Sequence, residues 1–290
     1  MSPLDAAFSR ARREGRALLV GYLPAGFPTV PAGAEAMRVM VEAGVDVVEV
    51  GLPYSDPVMD GPTIQQAADI ALRGGVRTRD VLSTVAAVAE LGVPTLVMTY
   101  WNPVERYGVD AFARDLAAAG GTGLITPDLT PDEGRPWIEA SDAYGLDRVF
   151  LVSPSSSDTR LAAAAAACRG FVYATAVMGV TGARDAASGL APRLVSRVRR
   201  HSALPVGVGL GVSTGAQAAD VAAFADAVIV GSALVARLLG ADTPAAGHAA
   251  LHELVVELAE GVASAGKPGV TGAADRADAP AGNSPVLTGC

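Results

Sequence analysis

Two carboxylates stand out in the stretch VVEVGLPYSDPVMDGPTIQ, residues 47–65. Glu49 interrupts a run of valines that reads as a strand, and Asp60 follows in a loop of Pro, Gly and Ser. A carboxyl group among apolar neighbours loses hydration, and its pKa rises toward the range useful for proton transfer. A second carboxyl in a wetter loop keeps its charge. Such a pair can divide acid and base roles. Blander readings stand beside these. Glu49 could be a structural group paired to a basic residue, and Asp56 before Pro57 and Asp60 before Gly61 could each start a turn.

Glycines form a second constellation. GVTGARD covers residues 179–185, GVGLGVST 207–214 and VGSALVARL 230–238. Glycine lets backbone N–H groups approach an anion, and a helix beginning at Gly231–Ser232 would point its positive end at one. Together the three loops suggest a phosphate site. Val212 breaks the G-x-G-x-x-G pattern, which argues against a dinucleotide. Tyr173, in GFVYATA, is either a core residue or a hydroxyl partner for a carboxylate. Tyr100 and Asp128 end two further apolar runs and could line the same mouth, although Asp128 could equally cap the next helix. His248 and His252 are four apart but lack a third ligand, so no metal is expected. No Cys-His or Ser-His arrangement suggests a covalent nucleophile.

These residues need a frame. Eight β-rich runs recur, at 17–23, 45–51, 94–99, 122–126, 147–152, 170–176, 205–209 and 227–231. Most are apolar on both faces, as parallel strands covered by helices are. Helical stretches lie between them. In TRDVLSTVAAVAELG, Thr78 is the expected N-cap, Val81, Val85, Val88 and Leu91 share a face, and Gly92 ends the helix. Ser2 and Pro3 open a helix ahead of the first run, with Leu4 and Phe8 on one side. The last helix, near 247–264, aligns Leu251, Leu254, Val255, Leu258 and Val262. Eight such units predict an α/β (β/α)8 barrel over residues 1–264 with an extra N-terminal helix; an open doubly wound sheet is the rival. Its active site would lie at the C-terminal strand ends. Alternation places Val45, Val47 and Glu49 on one face of the second strand and Asp46, Val48 and Val50 on the other. Residues 265–290, rich in Gly, Ala, Pro and Asp, are expected to be a disordered tail.

Composition narrows the classes. The 290 residues are half hydrophobic and carry a formal charge of −8 without a Lys/Arg stripe, which argues against nucleic acid. No apolar run reaches 18 residues and the N-terminus lacks an apolar signal core, so neither a membrane span nor a secretion signal is expected. Two cysteines, Cys168 and Cys290, make no disulfide framework, and a cytoplasmic location fits.

The motifs GYLPAGFP, EVGLPYSDPVMDGPTIQ, MTYWNP, MGVTGAR, GVGLGVS and VGSALV, in this order, resemble the tryptophan synthase α subunit over about residues 3–262. The resemblance implies a retro-aldol lyase that cleaves indole-3-glycerol phosphate to indole and glyceraldehyde 3-phosphate, with no cofactor in this subunit. It implies Glu49 as the principal acid and base, Asp60 at the indole N–H, and Tyr173 positioning both Glu49 and substrate. The phosphate would rest near Gly182, Gly211, Gly231 and Ser232. Tyr22, Ile64, Tyr100 and Leu210 would line the indole slot, with Asp128 beside it and Thr181 in a lid. Asp56 and Pro57 would meet a β subunit carrying pyridoxal phosphate in an α2β2 complex. Two alternatives are a free-standing lyase that releases indole and a non-catalytic activator of a β subunit. Tyr22 replaces a common Phe, Ala176 a common Ser, and the tail is longer than usual.

Overall fold

A computed structural model describes residues 1–175, 189–209 and 211–266. Thr181, Gly182, Leu210, Ala176 and the tail from residue 267 lie outside the described residues. Eight parallel strands close into a barrel in sequence order. They are β1 (Leu18–Pro24), β2 (Val47–Gly51), β3 (Thr95–Met98), β4 (Gly123–Thr126), β5 (Asp147–Val152), β6 (Val172–Thr175), β7 (Val206–Gly209) and β8 (Ala227–Val230). β8 returns to β1 through Leu18–Gly21 against Ala227–Val230. The open-sheet rival is thereby excluded.

The strands are apolar on both sides because two cores use them. Outward residues such as Val48, Val50, Val97 and Val208 pack under the ring of helices. Inward residues Val20, Val47, Leu96, Ile125, Val149 and Phe171 fill the barrel. Val45 departs from the expected alternation. It precedes β2 and packs in the outer core, where its side chain reaches Gly21. Asp46 is buried on the N-terminal side, where Arg16 binds it through two bonds of 2.7 and 2.8 Å and the Leu19 N–H donates to it at 2.9 Å.

Helix Pro3–Arg13 closes the bottom of the barrel. Ser2 and Asp5 cap it reciprocally, so the helix starts where Pro3 is tolerated. Leu4, Ala7, Phe8 and Ala11 then enter the inner core as a plug. The Phe8 ring lies 5.8 Å from Phe171, and Phe171 lies 6.2 Å from Tyr173. An aromatic column thus runs from the plug toward the mouth.

One helix start differs from expectation. Helix Thr78–Ala89 takes Arg77 as its N-cap, and the Arg77 N–H donates to Asp80 at 2.8 Å. An acidic residue at the third helical position outcompetes a Thr hydroxyl that already lies within the helix. The closing helix, Pro244–Ser264, begins behind Thr243 and buries all five residues expected on its inner side.

Candidate active site

Glu49 and Tyr22 are register partners on β2 and β1, so both side chains point into the C-terminal half of the barrel. They line a cavity of about 280 Å³ together with Asp60, Ile64, Tyr173, Gly211, Gly231 and Ser232. Residues from both ends of the chain therefore meet at one mouth.

Glu49 is 1% exposed, and its Oε1 has no hydrogen-bond partner. Among the described residues it forms no ion pair. Burial alone pushes its pKa up to about 8. At neutral pH the side chain is mostly a neutral acid, able to donate. Asp60 stands in the loop between β2 and helix Pro62–Arg73, partly exposed. Burial raises its pKa too, but the Tyr100 hydroxyl opposes the rise. The two carboxyls sit in a dry and a wetter setting, as a divided acid–base pair requires.

Tyr100 and Asp128 stand behind the cavity rather than in its wall. The Tyr100 hydroxyl accepts the Met59 N–H at 2.8 Å, and its ring lies 5.1 Å from Tyr54, so it fixes the loop that presents Asp60. Asp128 accepts the Trp101 N–H at 2.9 Å. It thus caps the helix after β3, Trp101–Tyr107, and not the helix that follows it in sequence. Asp56 is exposed beside Val58, which is 79% exposed, and Met59, 56% exposed. Pro57 is half-buried between them.

The glycines divide into two groups. Gly211, at φ +67°, and Gly231 line the cavity beside Ser232, the first residue of helix Ser232–Leu239. The N–H groups of that first turn have no partner within the helix and favour an anion. Gly207 and Gly209 make room for rings. A Cβ on Gly207 would lie 2.9 Å from the Phe171 ring, and one on Gly209 would lie 2.7 Å from the Tyr173 hydroxyl. Among the described residues no group of His, Cys, Asp and Glu could hold a metal ion, and no helix is long and apolar enough to cross a membrane.

Residues 8–275 match the family model described as "Tryptophan synthase alpha chain". The chain belongs to the tryptophan synthase alpha chain family. It is 67% identical over 262 residues to the alpha chain of Salinispora tropica, which spans 90% of this chain and 98% of that one. Against the alpha chain of Mycobacterium tuberculosis the identity is 60% over 261 residues, covering 90% and 94%. The fold is similar to the aminoacrylate-bound form of tryptophan synthase from M. tuberculosis, at TM-score 0.83 and 56% identity over 90% of this chain and all of that one. It is also similar to subunit alpha from Legionella pneumophila, at TM-score 0.80 and 31% identity over 91% and 99%. As an α chain of tryptophan synthase, this protein is a carbon–carbon lyase acting on indole-3-glycerol phosphate.

Several walls of the tryptophan synthase α-chain cavity escaped sequence reasoning. Met98, Leu151 and Ile229 face inward on β3, β5 and β8. Their signal was position: each stands near the C-terminal end of its strand on the barrel side. Gly51 also escaped. A Cβ there would collide with the Tyr22 hydroxyl.

Proposed function

We propose that Glu49 is the principal acid and base of this lyase reaction. The neutral carboxylic acid protonates the indole ring carbon that bears the glycerol phosphate chain. The ring becomes an iminium-like electron sink, and the resulting Glu49 carboxylate takes the proton from the adjacent side-chain hydroxyl. The C–C bond then breaks, giving indole and glyceraldehyde 3-phosphate. A dry acid with a raised pKa is suited to protonating carbon.

Asp60 stabilises the positive charge that develops at the ring N–H. Tyr173 positions Glu49 and the substrate from β6. Ile64, Met98, Leu151 and Ile229 supply apolar walls that fit a flat bicyclic ring. The phosphate rests on N–H groups at Gly211, Gly231 and Ser232, which orients the chain relative to the acid. Gly182, Thr181 and Leu210 complete the phosphate site, lid and slot in this reading, and lie outside the described residues.

The observation that carries the assignment is an unpaired, buried carboxyl sharing one small cavity with a glycine-fronted helix start. A non-catalytic activator would have no use for it. The partner is the tryptophan synthase β subunit in an α2β2 complex, and that subunit holds the pyridoxal phosphate; the α subunit itself uses no cofactor. Asp56 and Pro57, next to exposed Val58 and Met59, are the proposed contact with it. The cytoplasm is the proposed location, and residues 1–264 the proposed catalytic unit. Incubation of the purified protein with indole-3-glycerol phosphate, with and without a β subunit, should release indole. Failure in both conditions would overturn the assignment.

A further inference from the structure

The ends of β2, β3 and β4 are tied to one another beyond the strands themselves. The Leu52 N–H, just after β2, donates to the Met98 carbonyl at 2.9 Å, and the Thr99 N–H, just after β3, donates to the Ile125 carbonyl at 3.1 Å. Past these points side chains continue the ties. The two oxygens of Asp128 accept the Trp101 N–H at 2.9 and 3.2 Å, and so grip the peptide that joins Tyr100 to Trp101. That peptide sets the direction in which the Tyr100 side chain leaves the backbone. Tyr100 is buried, its ring 5.1 Å from Tyr54 and its hydroxyl accepting the Met59 N–H at 2.8 Å. Met59 is the residue immediately before Asp60.

The loop needs this hold. Ser55, Asp56, Val58, Met59 and Gly61 are exposed, so burial alone does little to fix their backbone. On the helix side the Gln65 side-chain amide donates to the Asp60 carbonyl at 2.8 Å. On the barrel side the fixed point is the Met59 N–H on Tyr100. The Asp60 side chain leaves the backbone between these two bonds. A carboxylate that stabilises charge on a ring nitrogen must sit at short range, because the attraction weakens with distance. Asp128 stands behind the cavity wall, and the chain of contacts through Tyr100 is its route to the reaction.

We propose that Asp128 is a positioning residue. Through the Tyr100–Trp101 peptide and the Tyr100 hydroxyl, it fixes the backbone from which Asp60 reaches into the slot. The inference rests on the assignment of Asp60 to the indole N–H. It gives Asp128 a role distinct from a wall of the slot: a relay from the end of β4, across the end of β3, to the loop after β2.

The test is a kinetic cycle of Asp128→Ala and Tyr100→Phe in the α2β2 complex, read by indole release. Asp128→Ala should lower kcat by about five- to tenfold, the scale of a lost cap and a slightly misplaced group, with KM within about twofold. Affinity for glycerol 3-phosphate should be unchanged. Asp128→Asn keeps an acceptor for the Trp101 N–H and should recover most of the loss. Tyr100→Phe should lower kcat on the same scale, and the double variant should fall no further than the lower single one, to within about twofold. Denaturant melts check folding. If Ala destabilises the chain, Asp128→Ser, one bond shorter than the Trp101 N–H requires, takes its place in the cycle. An unchanged kcat, additive losses, or a loss carried by KM would overturn the relay and leave the assignment of Asp60 intact. Asp60→Asn with the kcat of the wild type would overturn that assignment itself.

Discussion

Replacing Glu49 with Gln separates chemistry from stability at one position. The substitution keeps the shape and removes the titrating proton. Turnover should fall at least about 10²-fold, the usual scale for losing a general acid, or ~2.7 kcal/mol in the barrier. Stability should move the other way. Glu49 has a folded pKa near 8, above the ordinary 4.5 of the unfolded chain. A carboxyl raised in this way is neutral and harmless below pH 4.5. Above it, the unfolded chain ionises freely while the folded chain resists. The penalty grows by about 1.4 kcal/mol per pH unit until the folded group also ionises near pH 8. The full effect is of order a few kcal/mol, at most about 5. Gln carries none of it. It does place a buried NH2 where Oε1 had no partner, a fixed loss of roughly 1–3 kcal/mol at every pH. The slope is therefore the clean signal. Urea unfolding of both proteins at pH 5 and pH 8 should show the mutant gaining on the wild type by a few kcal/mol across that interval. Parallel pH dependences would refute the argument that Glu49 is a strained, unpaired acid.

Other substitutions probe its surroundings. Gly209→Ala places a methyl 2.7 Å from the Tyr173 hydroxyl, so it should lower stability by about 1–3 kcal/mol and turnover by tenfold or more, measured by denaturant melts and indole release. Gly231→Asp puts a negative charge at the helix start, and titration calorimetry with glycerol 3-phosphate should show affinity reduced by tenfold or more. Asp147 lies under the N-terminal helix with Oδ2 unpartnered, and burial raises its pKa. Asp147→Asn should raise the melting temperature at pH 8 and have little effect near pH 4, because only the ionised form is penalised.

The frame was legible because its signal is redundant. Eight runs, most of them apolar on both faces, read as covered parallel strands, and each observed strand begins and ends within two residues of its run. Glu49 was legible for the opposite reason: a lone carboxyl among valines is a contradiction that chemistry resolves. What failed was non-local. Thr78 looked like a cap until Asp80 competed for the role. Asp128 caps a helix 27 residues back, across the barrel rim, which local sequence cannot reveal. Gly207 and Gly209 looked like part of an anion loop because a glycine says nothing about what fills the space it leaves. Only the rings of Phe171 and Tyr173 answer that. Gly51 carried no sign at all that Tyr22 lies over it.

Among the described residues, the plug of Leu4, Ala7, Phe8 and Ala11 gives the barrel a floor, and the cavity lies at the opposite end. A protein seated across that end would bear on what the cavity admits and releases without touching a single reacting atom.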